Sequence, residues 1–434
     1  MTSTWSRRSM LGGGAALALG LAACGSSSGG SGGSDRDPAE ISGENVRVWF
    51  MEGSFADDAI DYLETAFAEE NPGNTLTVEI QPWDGIVSKL QTSLASSSES
   101  PDLVETGNTQ STTFTNVGAF ADVSDLYEDL GGDDLIPSFV EAGTVDGANY
   151  AYPLYAGARG VFYRSDLFDA AGITVPETID EFREAMIALG EANPEDVDGF
   201  SGMYFAAVDI HGVESFMFAA GGEYATENED GSFTAVLDQP ETLAALEQVH
   251  SLFQDATAYA LDSQASQKAF EKYFNEGKVG AMIGTGNVGT KIDQELWDED
   301  KVGVMALPGQ SAGEVGQTFA GGSNISLAAN AQNPELAREA LKLIFSEEFQ
   351  TKIAEAGWSP GNSSYGDAVT GPFGEISRDI VENSKLTPNT PQWGVASGNN
   401  LVRDFFTELA QGGDVETTAQ TYNATLQETL SAEE

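Results

Sequence analysis

Val46-Arg47-Val48-Trp49-Phe50 is followed by the stretch Ala56 to Glu70 and then by Leu76 to Ile80. The outer segments carry the β-branched and aromatic residues of strands, and the middle one aligns Ile60, Leu63 and Phe67 on one helical face. Asn71-Pro72-Gly73-Asn74 between helix and second strand is turn chemistry. A second helix, placing Ile86, Leu90 and Leu94 together, leads into Pro101-Asp102-Leu103-Val104-Glu105, which reads as a short buried strand. This alternation predicts an α/β protein built on an open sheet. Far downstream, Asn333-Pro334 supplies an N-cap with proline at the first helical position, and Leu336, Ala340, Leu343, Phe349 and Ile353 extend an amphipathic helical run. No internal repeat of solenoid length is present.

The N-terminal segment has a different character. Ser6-Arg7-Arg8-Ser9-Met10-Leu11 precedes a weakly apolar Gly/Ala/Leu stretch that ends in Leu21-Ala22-Ala23-Cys24, and Cys24 is the single cysteine of the chain. A basic region, a short apolar region and small residues before a cut describe a secretory signal. Because the small residues run directly into the cysteine, the pattern resembles a bacterial lipobox: residues 1–23 are expected to be removed and Cys24 to be lipidated. The paired arginines also resemble a twin-arginine signal, with Met10 where that motif usually has Phe, so the export route stays open between the two. Residues 24–43 then form an anchor and a flexible Gly/Ser tether, which would hold the folded part near the outer face of the cell membrane. No later segment reaches 18 consecutive apolar residues, so membrane contact is expected through the lipid alone. A lone cysteine allows no internal disulfide; stability must come from a core, and the roughly 390 residues after the tether suffice for two lobes.

Lys and Arg number 19 against 69 Asp and Glu, a formal net charge of −50. Such a field makes nucleic acid a poor partner and disfavours polyanionic ligands, while a neutral ligand would not feel it.

Several further segments, in order, carry a family likeness: Ser100-Pro101-Asp102-Leu103-Val104, Val117-Gly118-Ala119-Phe120-Ala121-Asp122, Tyr152-Pro153, Tyr163-Arg164-Ser165-Asp166-Leu167, and Pro176-Glu177-Thr178-Ile179-Asp180-Glu181-Phe182. Phe218-Ala219-Ala220-Gly221-Gly222, Phe274-Asn275-Glu276-Gly277-Lys278 and Phe319-Ala320-Gly321-Gly322-Ser323 continue the series. Together they resemble the family 1 solute-binding proteins of sugar-importing ABC transporters, the group that includes maltodextrin-binding protein. The resemblance implies a two-lobe periplasmic-binding-protein-like fold of type II with the ligand cleft between the lobes. The lobes are expected at 44–152 with 285–321, and at 153–284 with 322–434. It also implies a monomeric, non-enzymatic protein without cofactor or metal, which captures a saccharide and delivers it to the transmembrane subunits of a permease with a separate ATPase.

A sugar cleft needs aromatic planes for the CH faces of pyranose rings and convergent donors and acceptors for their hydroxyls. Loops beyond the carboxyl ends of strands are the places to look. Glu52-Gly53-Ser54 leaves the first strand, and Asn108 and Gln110, each both donor and acceptor, follow the Pro101-Asp102 strand, although both could instead cap the next helix. Tyr155 and Arg159 lie where the resemblance places the crossing between lobes. Asp209, His211, Asn287, Gly322 and Ser323 complete the polar candidates, and Trp83, Trp358 and Trp393 the aromatic ones, with Trp393 favoured as a stacking wall. Thr106 and Thr109 stand where the maltodextrin-binding pattern has a Trp and a charged residue, which puts maltodextrin itself in doubt.

Gly284-Thr285-Gly286-Asn287-Val288-Gly289 is a literal GxGxxG after a strand-like run, but the next strand, Val302 to Leu307, ends in Pro308 without the acidic residue that would hold a ribose. Gly286-Asn287 is read instead as a cleft loop in which glycine permits close backbone approach. Asp196-Val197-Asp198-Gly199 and Glu229-Asp230-Gly231 lack the remaining spacing of calcium loops and read as turns. The rival from another class is a surface-tethered glycoside hydrolase, which needs two carboxylates about 5–10 Å apart across a cleft. Two further alternatives keep the fold, one binding a non-sugar solute and the other acting as a sensor. No Gly-x-Ser-x-Gly elbow, His-Glu-x-x-His or P-loop occurs.

Overall fold

Asn45–Met51 is the first strand, with Val46, Val48, Trp49, Phe50 and Met51 all buried, the near-continuous apolar run of a strand covered on both faces. The computed structural model describes residues 36–432 apart from 229, 263–269 and 320. The expected leader, Cys24 and the Gly/Ser tether up to residue 35 therefore lie outside the described residues, as does Ala320 of the Phe319–Ser323 motif. In chain order the strands are β1 (Asn45–Met51), β2 (Thr75–Gln81), β3 (Leu103–Gly107), β4 (Thr144–Val145), β5 (Ala148–Asn149), β6 (Tyr152–Gly157), β7 (Arg159–Arg164), β8 (Ala225–Glu227), β9 (Phe233–Ala235), β10 (Ala281–Thr285), β11 (Val302–Met305), β12 (Gly321–Leu327) and β13 (Ser359–Pro360).

Six of them form one sheet in the order β13-β6-β12-β3-β1-β2, and three form another in the order β10-β7-β11. In the first, β1 runs parallel to β2 and β3, whereas β12 is antiparallel to β3 and β6. The helix Asp57–Glu70 covers this sheet through Ala59, Leu63 and Phe67, with Ile60 turned partly outward. The apolar run after Asn333 is two helices, Pro334–Ile344 and Glu347–Glu355, because Ser346 caps the second by accepting from Phe349 N. Leu336, Ala340, Leu343, Phe349 and Ile353 nevertheless all enter the core beside Leu63 and Phe67.

Two motifs of the family likeness have local structural reasons. The buried Asp102 carboxylate accepts from the backbone N–H of Arg47 and of Asn333, both at 2.9 Å, pinning β1 to the start of a helix more than two hundred residues away in sequence. Thr178 caps the helix Ile179–Ala192 by accepting from Glu181 N, while the Glu181 side chain accepts from Glu177 N, a reciprocal arrangement of the capping-box kind.

The lobe boundaries differ from those expected. β11 pairs with β7, from Val302 opposite Arg164 to Met305 opposite Val161, so residues 285–305 belong with the second sheet. β12 inserts between β3 and β6 and buries Ile325 and Leu327 beside Leu103 and Tyr152, so residues 321–360 belong with the first sheet. The chain thus crosses after β11 rather than before it. The other crossings are the step from β6 to β7 at Ala158 and the passage from β13 to the helix Gly371–Glu382, which packs on β7 and β11.

Candidate functional site

The cleft ends of β1, β3, β6 and β12 meet at a buried carboxylate. Glu105, in the middle of β3, accepts from Met51 N at 2.8 Å, Ser54 Oγ at 2.7 Å, Tyr155 Oη at 2.8 Å and Ser323 Oγ at 2.6 Å. Burial pushes the Glu105 carboxyl above its ordinary range, and the four donors oppose that rise. Burial and the adjacent Glu105 likewise push the Tyr155 hydroxyl well above its usual value. Gly53, at φ 83°, makes the turn that brings Ser54 over the end of β3. Trp358 lies 4.6 Å from the Tyr155 ring and donates its Nε1–H to Ser54 O at 2.9 Å, keeping part of its surface open. Ser54, Tyr155, Ser323 and Trp358, four of the residues expected in the site, therefore converge, around a carboxylate that the sequence marks only as part of a strand.

Where the chain crosses between the sheets, a second group forms. Arg159 donates to Phe319 O at 3.2 Å and its guanidinium lies 5.4 Å from the Phe319 ring centroid; His211 stacks on the same ring at 4.3 Å with an 8° interplanar angle. Phe319 N donates to Ser215 Oγ, and His211 Nδ1 lies 2.5 Å from Oε1 of the buried Glu214, which also accepts from Tyr224 Oη. Arg159 and Asp209 are crowded on all sides yet keep part of their surface open, as groups deep in a crevice do. Burial lowers the Arg159 value against the pull of Asp209 and Glu214, and raises that of Asp209 against Arg159 and His211. Asp209 also caps the helix Ile210–Ala219 through Gly212 N.

The turn after β3 carries the third group. Asn108 is 2% exposed, and among the described residues its Nδ2 has no hydrogen-bond partner; neither has Gln110 Oε1 nor Thr112 Oγ1. A helix-capping role does not account for them, since neither the turn Asn108–Gln110 nor the helix Ser111–Thr115 has a side-chain cap. Leaving a buried polar group unpaired costs about 1–3 kcal/mol, so three within five residues mark a place where water or a bound solute would supply the partners. The second lobe faces this turn: the helix Pro391–Gly398 packs against it.

Other expected site residues lie elsewhere. Trp393 is 4% exposed, sits in the apolar core of the second lobe and packs on Tyr224 at 4.9 Å, so the expected stacking wall is a core residue. Trp83 packs with Trp49, Ile86 and Phe114. Glu52 is exposed, and a Cβ on Gly322 would stand 2.2 Å from Tyr155 O, so this glycine serves the packing of β12 on β6. Asn287 donates to Ala356 O at 3.3 Å, and a Cβ on Gly286 would stand 2.3 Å from Gly357 O. The close backbone approach expected at Gly286 thus occurs, between the end of β10 and the turn before β13. Among the described residues no cluster of His, Cys, Asp or Glu could hold a metal ion, and no helix is long and apolar enough to cross a membrane.

Two α/β lobes, joined by crossing segments and lined at the junction by polar strand ends, are the architecture of a solute-binding protein. The chain belongs to the bacterial extracellular solute-binding proteins, whose family model matches residues 52–351. It is 30% identical over 411 residues, 92% of each chain, to the diacetylchitobiose binding protein DasA of Streptomyces coelicolor. It is 25% identical over 308 residues to the arabinooligosaccharide-binding protein of Halalkalibacterium halodurans, covering 66% of this chain and 65% of that one. Among solved structures it resembles the acarbose-binding GacH receptor of Streptomyces glaucescens, with TM-score 0.77 and 19% identity over 91% of this chain and 100% of that one. The sugar-binding protein MalE of Xanthomonas citri gives TM-score 0.75 and 20% identity, over 89% and 97% of the two chains. These two likenesses establish the two-lobe fold.

Proposed function

We propose that this protein captures a neutral di- or oligosaccharide in the crevice between its lobes and delivers it, chemically unchanged, to an ABC permease in the membrane. The observation that carries the reading is the unpaired, uncharged Asn108 and Gln110 at the interlobe end of β3, close in the chain to the Glu105 group that holds Trp358. Unpaired amides supply the donors and acceptors that sugar hydroxyls require, and a partly open indole supplies an apolar plane. The names of the relatives, which include proteins for diacetylchitobiose, arabino-oligosaccharides and mannitol, support a carbohydrate. Acylation of Cys24 would tether a monomer to the outer membrane face, with residues 24–43 as the flexible arm and the permease and its ATPase as separate chains.

The test is calorimetric titration of the full-length chain in mild detergent with mono-, di- and oligosaccharides, followed by recovery of each sugar. Micromolar or tighter binding of a sugar recovered intact is the expected result. A consumed sugar would establish the hydrolase instead, and silence across the panel would overturn the saccharide reading.

A further inference from the structure

The turn after β3 differs from the rest of the crevice. Glu105, Ser54, Tyr155 and Ser323 satisfy one another, whereas Asn108 Nδ2 offers a donor and Gln110 Oε1 an acceptor that nothing among the described residues meets. In a chain with 69 Asp and Glu, the run from Thr106 to Ala121 contains no charged residue. The group recognised there is accordingly neutral: a carboxylate or ammonium would need a countercharge once removed from water. Gly107 has no side chain, and a Cβ there would stand 3.5 Å from Gln110 Cδ and Oε1, so the glutamine lies folded back over the turn. From the other lobe, the helix Pro391–Gly398 comes so close that a Cβ on Gly394 would stand 3.1 Å from Thr113 Oγ1, which limits water at the turn.

An unpaired donor and an unpaired acceptor two residues apart match a planar group whose own acceptor and donor are fixed and diverge. Sugar hydroxyls rotate and make no such demand; an acetamido substituent does, through its carbonyl oxygen and its N–H. We propose that the saccharide carries an acetamido group, whose carbonyl accepts from Asn108 Nδ2, whose N–H donates to Gln110 Oε1, and beside which the Thr112 hydroxyl supplies the remaining partner. This inference rests on the saccharide reading and deepens it. The relative sharing 30% identity over 92% of each chain is named for a diacetylated amino-sugar disaccharide, which is consistent with the same substituent here.

Titration of the full-length chain with the β-1,4 disaccharide of N-acetylglucosamine and with cellobiose, the same disaccharide bearing hydroxyls in place of acetamido groups, decides the matter. The acetylated sugar should bind at least about tenfold more tightly, the range set by leaving buried polar groups unpaired. Asn108→Asp, which keeps the shape and removes the donor, and Gln110→Ala should both shrink that ratio toward one. Thermal unfolding of each variant identifies one that is merely unfolded, in which case the other variant decides. Equal binding of the two sugars, or a preference that survives both substitutions, overturns the acetamido assignment and leaves the saccharide reading standing. Failure of the acetylated sugar to bind while a saccharide without an acetamido group does also overturns it, and failure of every sugar overturns both.

Discussion

Glu105 ties β1, β6 and β12 to β3 through one carboxylate, and its removal would leave three hydroxyls and a backbone N–H without their acceptor. Glu105→Ala should therefore destabilise the fold by about 1–3 kcal/mol or more in urea unfolding, the cost of leaving buried donors without an acceptor; a loss below about 1 kcal/mol would show that the network holds nothing. The pH dependence has a definite sign. Because burial raises the folded-state value of this carboxyl, the folded protein binds the proton more tightly than the unfolded chain. Its contribution is complete below the ordinary carboxylate range of about 4.3 and is lost as pH rises through the raised value. The stability difference between the native protein and Glu105→Gln should thus fall from pH 4 upward, and a difference that grows would contradict the assignment. Trp393 belongs to the same scale: packed on Tyr224 in the core, its replacement by Ala should cost about 3–5 kcal/mol. A stable Trp393→Ala variant that had lost only ligand affinity would return it to the crevice wall.

Glycines at the approach between β10 and the turn before β13 set how near the lobes come. Gly357 has φ 82°, and a Cβ there would stand 2.5 Å from Gly286 C. Gly357→Ala adds the left-handed penalty of about 1–2 kcal/mol to an overpacking cost of about 1–3 kcal/mol, so a loss of roughly 2–5 kcal/mol is expected at the urea midpoint. Gly366→Ala, where a Cβ meets nothing within 4 Å, should stay within about 0.5 kcal/mol and serves as the control; equal effects would refute the close-approach argument. Elements of this kind were readable to different depths. β1, the helix Asp57–Glu70 and β2 follow local periodicity, and that periodicity survives in the structure. The lobe to which β11 and β12 belong depends on pairing with β7 and β3, which a residue cannot signal by itself. Ser54, Tyr155 and Ser323 meet at Glu105 from turn and crossing positions that the sequence marks locally. A carboxylate inside a buried apolar strand, as at Glu105, is itself a signal, whereas the burial of Trp393 is not legible, because a turn-like setting does not reveal what packs above it.

A molecule with a formal charge of −50 carries its own repulsion into every equilibrium it enters. Compaction brings those carboxylates together, so counterions should stabilise the folded state; the Debye length falls from about 10 Å at 0.1 M to about 3 Å at 1 M salt. The melting temperature is accordingly expected to rise with sodium chloride over that range. The solute responds differently, and this separates its chemistry from that of the protein. A neutral saccharide brings no charge into the field, and the turn that would seat it bears none between Thr106 and Ala121. Its dissociation constant should change by less than about twofold between 0.1 M and 1 M salt even as the protein becomes more stable, because screening acts on charge pairs and the contact contains no such pair. Calorimetry at the two salt concentrations measures both quantities on one sample. Binding that weakens steeply with salt would mean a cationic ligand drawn in by the acidic surface, and binding that strengthens steeply would mean an anion relieved of repulsion; either would overturn the neutral-solute reading while leaving the two-lobe fold untouched.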